Sequence, residues 1–184
     1  RRAFVEAFQD PSAGMRKPPK MIGASKAVLE GLKIARQNLT KADHSFNDLS
    51  KDKSLQEFVP KQLYAKITQV GSGKKLGDAD RVRLGYVIED FEGNILFANY
   101  DAWFNRSEVA QGLAHGVKGM NVGEKRTIYI HPALAYGALT TLPPCKELIF
   151  KVHLIDFEDS AVAAPLSLQP IDLDWIQNSH YYRM

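Results

Sequence analysis

The sequence predicts an α+β fold, in which an antiparallel sheet wraps around one short helix and further helices come ahead of the sheet. Three observations lead to this prediction. Residues 1–60 carry apolar side chains at helical spacing, residues 61–160 hold five short stretches with strand periodicity, and one short helical stretch interrupts those strands. Strands grouped around one helix, rather than alternating with helices, are typical of the α+β class.

Composition limits the classes of protein to which the chain can belong. Of its 184 residues, 45% are hydrophobic and 24% are charged, which is ordinary for a globular protein. The formal net charge of +3, without a basic run interleaved with aromatics, gives no reason to expect a nucleic-acid partner. Cys145 is the single cysteine, so no internal disulfide can form. We expect no membrane-spanning helix and see no signal peptide.

Residues 1–60 are predicted to form a helical arm. Phe4, Ala7 and Phe8 begin a helical pattern that residues 10–14 break, and a longer helix is predicted from Ser25, with apolar positions at Val28, Leu32, Ala35 and Leu39. A looser helical pattern then runs from Phe46 to Val59, before Pro60. Sixty residues are too few to bury the apolar faces of these helices against one another. The arm therefore packs on the following domain or pairs with a second copy, and we favour a homodimer through residues 1–60.

Residues 61–160 are predicted to form a compact β domain. The five strands lie at residues 63–70, 82–89, from 95 onward, 124–131 and 148–157. Their inward-facing positions predict the core residues Val82, Leu84, Ile128, Ile130, Leu148, Phe150, Val152 and Leu154. The short helix within this domain places Val109, Leu113 and Val117 on one face, and we expect Asn105 or Ser107 to cap it.

The ordered motifs of this domain resemble those of the FKBP family of peptidyl-prolyl cis–trans isomerases. They are Val109-Ala-Gln-Gly-Leu-Ala-His-Gly-Val-Lys-Gly-Met120, Val122-Gly-Glu-Lys-Arg126, Pro132-Ala-Leu-Ala-Tyr-Gly137 and Leu142-Pro-Pro-Cys-Lys-Glu-Leu-Ile-Phe-Lys-Val152. With its helical arm, the layout is similar to the Mip/FkpA group of bacterial envelope isomerases. The resemblance implies a homodimer in the periplasm or outer envelope that isomerises X–Pro bonds of unfolded polypeptides and also acts as a chaperone. It further implies a macrolide as ligand, and no cofactor or metal.

The resemblance also implies which residues line the site. The family surrounds an apolar pocket with aromatic rings, and the matching positions are Tyr86, Phe97, Val109, Ala110, Leu113, Tyr136 and Phe150. Tyr100, Trp103 and Leu142 are further substrate-binding candidates. Without the resemblance, Val109, Leu113 and Phe150 would be interpreted as plain core residues.

Several departures from the family pattern affect the expected activity. Leu113 stands where many members have a tryptophan at the pocket floor, and Ala110 where a larger aliphatic residue is common, so the pocket is expected to be wider. Trp103 and Phe104 are candidates to refill that floor. Ala98 replaces a usual aspartate, and the loop at residues 138–142 is short and has no histidine. The alternative function is an FKBP-like peptide-binding or chaperone module with weak or no isomerase activity.

Residues 161–184 form a C-terminal extension without a recognisable motif. Residues 161–165 resemble a linker, and the apolar residues that follow, among them Ile171, Trp175 and Ile176, are too costly to leave exposed. We therefore expect the extension to dock. The sequence leaves open whether it lies on the domain, covers the pocket or binds a partner.

Overall fold

The computed structural model describes residues 26–137, 142–159 and 166–178. It contains one long helix, a sheet that wraps around a short helix, and a C-terminal segment that runs back to the long helix. The predicted helix around Phe4, Ala7 and Phe8 lies outside the described residues.

The long helix, α1, spans Lys26–Leu49 and extends ten residues beyond the point where the sequence pattern fades, at Leu39. It is longer because its apolar stripe continues at intervals of three and four residues to Ala42 and Phe46, which are both fully buried. Phe46 lies with its ring centroid 6.3 Å from that of Tyr64 and 5.8 Å from that of Phe91, both in the β domain. This half of the arm therefore packs on the following domain, the less favoured of the two predicted arrangements.

Six strands form one antiparallel sheet in the described part of the chain, in the order β1-β2-β5-β6-β3-β4. Their bounds are β1 Gln56–Val59, β2 Leu63–Gln69, β3 Arg81–Glu89, β4 Ile95–Asn105, β5 Lys125–Ile130 and β6 Leu148–Phe157. The five predicted strands are confirmed as β2 to β6. All eight predicted core residues are at most 3% exposed, which confirms the predicted inward face.

The first strand, β1, was predicted as the end of a helical pattern. It pairs with β2, with Gln56 opposite Ala65 and Val59 opposite Leu63, across a turn in which Lys61 has a φ of +60°. Pairing with the next strand of the sheet overrides the weak local preference of such a short segment. The sheet thus starts at Gln56, within the range that the sequence placed in the arm.

The short helix, α2, spans Gln111–Gly116 and follows a 3₁₀ turn at Arg106–Glu108. The prediction that Asn105 or Ser107 caps this helix is wrong, because Ala110 is the cap residue and makes no side-chain capping bond. Ser107 instead donates its backbone N–H to Asp80 Oδ1, at 2.9 Å.

The sheet approaches α2 closely at two glycines of that helix. A Cβ atom added to Gly112 would lie 2.4 Å from Ile130 Cγ2, and one added to Gly116 would lie 2.7 Å from Ile128 Cγ2. Both distances are too short for any side chain, so glycine at these positions lets the helix lie directly on β5.

Residues 166–178, here called the C-terminal strap, dock on the molecule, which confirms that prediction for the described part of the extension. Ile171, Leu173 and Ile176 are at most 7% exposed, and the last of them lies in a short helix, α3, at Asp174–Asn178. They pack in a second apolar cluster with Ala35 and Leu39 of α1. The strap therefore fills the space between α1 and the β domain.

Candidate functional site

Four aromatic rings meet on the inner face of the sheet, and we call them the ring cluster: Tyr86, Phe97, Phe104 and Phe150. The ring centroid of Tyr86 lies 5.9 Å from that of Phe97, 5.5 Å from that of Phe104 and 6.4 Å from that of Phe150. These separations are within the range of favourable aromatic pairs. Strand register brings the rings together, because Ile88 pairs with Phe97 on one side and with Phe150 on the other.

The other predicted pocket residues belong to the same core. Val109, Ala110 and Leu113, at the start of α2, are at most 3% exposed, and Tyr136 is 4% exposed. Tyr136 follows a 3₁₀ turn at Pro132–Leu134, and the next residue, Gly137, has a φ of +59°. The positive φ there is one that glycine adopts readily, so the chain can turn sharply and direct the tyrosine into the core.

Of the two candidates to refill the floor of the site, Phe104 rather than Trp103 lies on the inner face, beside Tyr86. Phe104 is 6% exposed and its ring contacts Tyr86, whereas Trp103 is 38% exposed. Trp103 pairs with Arg83 across the sheet and its ring lies 5.6 Å from the guanidinium carbon of Arg81. Strand alternation separates the two neighbours, since consecutive side chains point to opposite faces.

Tyr100 also lies away from the ring cluster, with 76% of its surface exposed. It lines a groove of about 460 Å³ on the outer face of the sheet, together with Gly85, Lys125, Lys151 and His153. A bulge in the pairing of β3 with β4, between Leu84 and Tyr86, shifts the register at this point. The structure therefore does not bring Tyr100 or Trp103 into the site. Leu142, by contrast, is 8% exposed and lines a small cavity beside Tyr136.

Strand pairing shows which face of the sheet Ala98, the residue that replaces the family's usual aspartate, lies on. Ala98 pairs with Val87, which lines the outer groove, whereas Asn99 pairs with Tyr86 of the ring cluster. Directly paired residues of an antiparallel sheet share a face. Asn99 is therefore the side chain on the face of the site, a residue that the sequence comparison with the family pattern did not single out.

Comparison with known proteins agrees with this geometry. Residues 73–155 match the family described as FKBP-type peptidyl-prolyl cis-trans isomerase. The peptidyl-prolyl cis-trans isomerase Mip of Chlamydia pneumoniae is 35% identical over 153 residues, which cover 79% of this chain and 57% of that protein. The crystal structure of FkpA from Escherichia coli superposes with a TM-score of 0.62 at 26% identity, over 72% of this chain and 64% of that one.

The chain belongs to the FKBP family.

The curated Mip relatives are longer than this chain. A second Mip, from Chlamydia muridarum, is 30% identical over 163 residues, which cover 86% of this chain and 66% of that protein. The chain thus spans between about half and two thirds of the length of these curated relatives. A peptidyl-prolyl isomerase from Pseudomonas syringae, with a TM-score of 0.58 at 21% identity over 67% of this chain and 95% of that one, shares the fold.

Burial raises the pKa of both tyrosines at the candidate site. Loss of hydration raises the pKa of Tyr136 well above its ordinary value, and the nearby Tyr86 raises it further. Burial alone raises the pKa of Tyr86. Both hydroxyls therefore stay protonated through the physiological pH range, so each can donate a hydrogen bond.

Most side chains of the candidate site are closed to solvent in this structure, although Phe97 is only partly buried. Leu113 and Phe150 are fully buried, and Tyr86 and Tyr136 are 2% and 4% exposed. A peptide can therefore contact these rings only after some covering segment has moved.

Within residues 26–137, 142–159 and 166–178, no helix has both the length and the apolar character needed to cross a bilayer.

Proposed function

We propose that the protein catalyses cis–trans isomerisation of X–Pro bonds in unfolded polypeptides, at the ring cluster. The observation that carries this proposal is the convergence of Phe97, Phe104 and Phe150 on Tyr86, within 6.4 Å between centroids. Family membership supports the reaction, and the buried neighbours of the rings support its location.

The reaction has a barrier of about 18–20 kcal/mol, because resonance makes the peptide C–N bond partly double. In the twisted transition state this resonance is lost, and the carbonyl and the proline nitrogen carry less charge separation than in the planar amide. An apolar, water-free surrounding therefore stabilises the twisted form more than the planar one. Catalysis of this kind is differential binding of the transition state and requires no nucleophile, metal or cofactor.

Two polar groups are proposed to orient the peptide. The backbone N–H of Ala110 lies at the start of α2, and the hydroxyl of Tyr136, which carries its proton at physiological pH as tyrosines ordinarily do, is buried in the same cluster. Each can donate a hydrogen bond to a carbonyl of the bound chain. Val109, Leu113 and Leu142 supply apolar walls in the same buried cluster.

The test is isomerisation of a short proline peptide, followed without a coupled protease, by exchange between the cis and trans signals in NMR. We expect a rate above the uncatalysed background that scales with enzyme concentration. A rate equal to the background would refute catalysis.

A peptide-binding or chaperone module is the second candidate function. It is favoured by the closed site and by the absence of an aspartate at Ala98 and at Asn99. Suppression of aggregation of an unfolded client, measured by light scattering beside the isomerase assay, distinguishes the two. Suppression without isomerisation supports the module, and isomerisation above background supports the enzyme.

We further propose that the protein is a homodimer through residues 1–60. The buried stripe of α1 continues toward its start at Val28, which is 42% exposed, and Ile34 nearby is 40% exposed. Analytical ultracentrifugation of the full chain should give a dimer. The double variant Val28→Asp/Ile34→Asp should give a monomer, whereas Lys33→Asp, a charge change on the same helix, should remain dimeric.

The proposed location is the bacterial envelope, where unfolded polypeptides would be the clients. A relative that is 30% identical over 144 residues is named outer membrane protein MIP, from Legionella longbeachae. Recovery of the protein in the cytoplasmic fraction of its source cells would contradict this location. A macrolide of the class bound by FKBP proteins is the proposed small-molecule ligand, and it should inhibit isomerisation by competing with the peptide.

A further inference from the structure

The C-terminal strap runs past the start of α2 and is held there as a peptide. The Gln111 side chain donates from Nε2 to the carbonyl of Gln169 at 2.7 Å and accepts the Gln169 N–H at 2.6 Å. One side-chain amide thus satisfies both backbone groups of one strap residue, much as a neighbouring strand would. Gln111 is next to Ala110, the proposed donor to a substrate carbonyl.

The strap also contributes an apolar contact to the core of the β domain. Leu166 is partly buried and packs against the core cluster to which Val109, Ala110 and Tyr136 belong. Its neighbour Leu168 is 37% exposed. Pro170 follows Gln169, so the strap carries an X–Pro bond, the kind of bond in the proposed substrate, beside the start of α2.

Beyond Gln169 the strap is anchored more firmly. Ile171 donates its N–H to the carbonyl of Ala133 at 2.8 Å, and Ile176 is fully buried against α1. The Gln177 side chain donates to Asp43 Oδ2 of α1, at 3.3 Å. Segment 166–169 can therefore leave its place while the rest of the strap stays docked, because local opening needs only the weakest contacts to break.

We propose that the C-terminal strap is an internal peptide ligand, whose segment 166–169 occupies the peptide groove at the start of α2 and is displaced by client polypeptides. This inference rests on the proposed function, since it assigns that groove to the substrate. Tethering keeps the local concentration of the strap high, so weak contacts suffice for occupancy.

The consequence is a KM that depends on the strap. A strap closed in about two thirds of the molecules raises the KM for a short proline peptide about threefold, because apparent affinity scales with the open fraction. The turnover number is unchanged, since the strap is absent once the peptide is bound.

The test uses the full chain with one variant and a matched control. Leu166→Ser removes the apolar contact and should lower the KM about threefold, with kcat within about twofold of wild type. Leu168→Ser makes the same chemical change two residues away, at an exposed position, and should leave KM unchanged. Equal KM values for wild type and both variants would overturn the inference.

A second measurement uses the wild-type protein alone, so it does not depend on how the variant folds. Exchange of the Gln169 amide hydrogen, followed by NMR, should accelerate when a short proline peptide saturates the site, while the Ile171 amide keeps its protection. Unchanged protection of Gln169 with peptide bound contradicts the proposal.

The outcomes separate this inference from the proposed function. Release of Gln169 by a bound peptide, without isomerisation, supports the strap and refutes the enzyme. Isomerisation with Gln169 still protected, and with no effect of Leu166→Ser, supports the enzyme and refutes the strap. If the peptide binds neither wild type nor Leu166→Ser, both proposals fail.

Discussion

At the scale of single residues, aromatic residues that look equally good as site candidates in the sequence lie on different faces of the sheet. Only those on the inner face belong to the candidate site. Tyr136 and Tyr100 are both tyrosines at positions that resemble the family site, yet one is 4% exposed in the core and the other 76% exposed on the outer face. The same holds for Phe104 and Trp103, which are adjacent in β4. Each pair therefore offers a matched comparison.

The first prediction concerns the tyrosine hydroxyls. Tyr136→Phe should lower kcat/KM for a proline peptide about tenfold, because a hydrogen bond to the peptide carbonyl contributes about 0.5–1.5 kcal/mol. Tyr100→Phe should leave kcat/KM unchanged, because its hydroxyl lies outside the site. Similar losses in both variants, measured by NMR exchange, would place the site elsewhere.

The second prediction concerns the position of the missing carboxylate. Asn99→Asp places a carboxylate on the face of Tyr86 and should change kcat/KM by about tenfold or more, since a charge-assisted hydrogen bond is worth roughly 1.5 kcal/mol or more. Ala98→Asp places it on the opposite face and should change kcat/KM by less than about twofold. A larger effect of Ala98→Asp would mean that the register of β4 differs from the one observed.

At the scale of elements, α2 is too short to be stable by itself and depends on its neighbours. The buried guanidinium of Arg106 supplies much of this support. It donates to the carbonyl of Ala114 in α2 from two nitrogens, at 3.0 and 2.7 Å, and to the carbonyls of Gly77 and Ala79, at 2.7 and 3.0 Å. These bonds fix the helix that carries Ala110 and Leu113 to the loop ahead of β3.

The third prediction follows from these bonds. Arg106→Met leaves three carbonyls without this donor, and at about 1–3 kcal/mol for each unsatisfied group the free energy of unfolding should fall by about 3 kcal/mol or more. Arg83→Met removes an exposed arginine that pairs with Asp101 and should cost less than about 1 kcal/mol. Urea denaturation measures both, and equal losses would contradict the role assigned to Arg106.

At the scale of the whole molecule, α1, the strap and the β domain share one interface. His131 donates from Nε2 to Asp43 Oδ1 of α1, at 2.8 Å, and its Nδ1 accepts the Ala133 N–H, at 3.1 Å. Cys145 is fully buried in the same interface, with Leu39 of α1 and Ile176 of the strap. The free energy of unfolding should therefore change with pH where a group buried in this interface ionises.

The fourth prediction is a loss of stability in alkaline solution. Burial raises the pKa of the Cys145 thiol from 9.0 to about 12. Below pH 9 the thiol is protonated in the folded and the unfolded chain, so its burial contributes fully to the free energy of unfolding. Between pH 9 and about 12 only the unfolded chain ionises, and stability falls by about 1.4 kcal/mol for each pH unit.

Urea unfolding at pH 8 and pH 10 measures this loss, and Cys145→Ala serves as the comparison. The variant should lose about 1.4 kcal/mol less than wild type between the two pH values, whatever its stability at pH 8. The buried hydroxyls of Tyr86 and Tyr136, whose pKa values are also raised, add to the loss in both proteins above pH 10. An identical pH dependence in the two proteins would contradict the burial of the thiol.

The sequence by itself determined the elements whose evidence is local. The alternation in β2 to β6, the core positions and the motifs around Leu113 and Tyr136 predicted the FKBP fold, because one face of a half-buried strand must be apolar. It also indicated the ring cluster through the resemblance, except for the choice between Phe104 and Trp103.

Only the tertiary structure decided what depends on distant partners. The bulge that places Phe104 rather than Trp103 on the inner face, the docking of α1 on the β domain and the bonds from Gln111 to the strap all join residues far apart in the chain. Local propensity carries no information on such contacts, since the free energy that fixes them arises from burial and hydrogen bonding between segments.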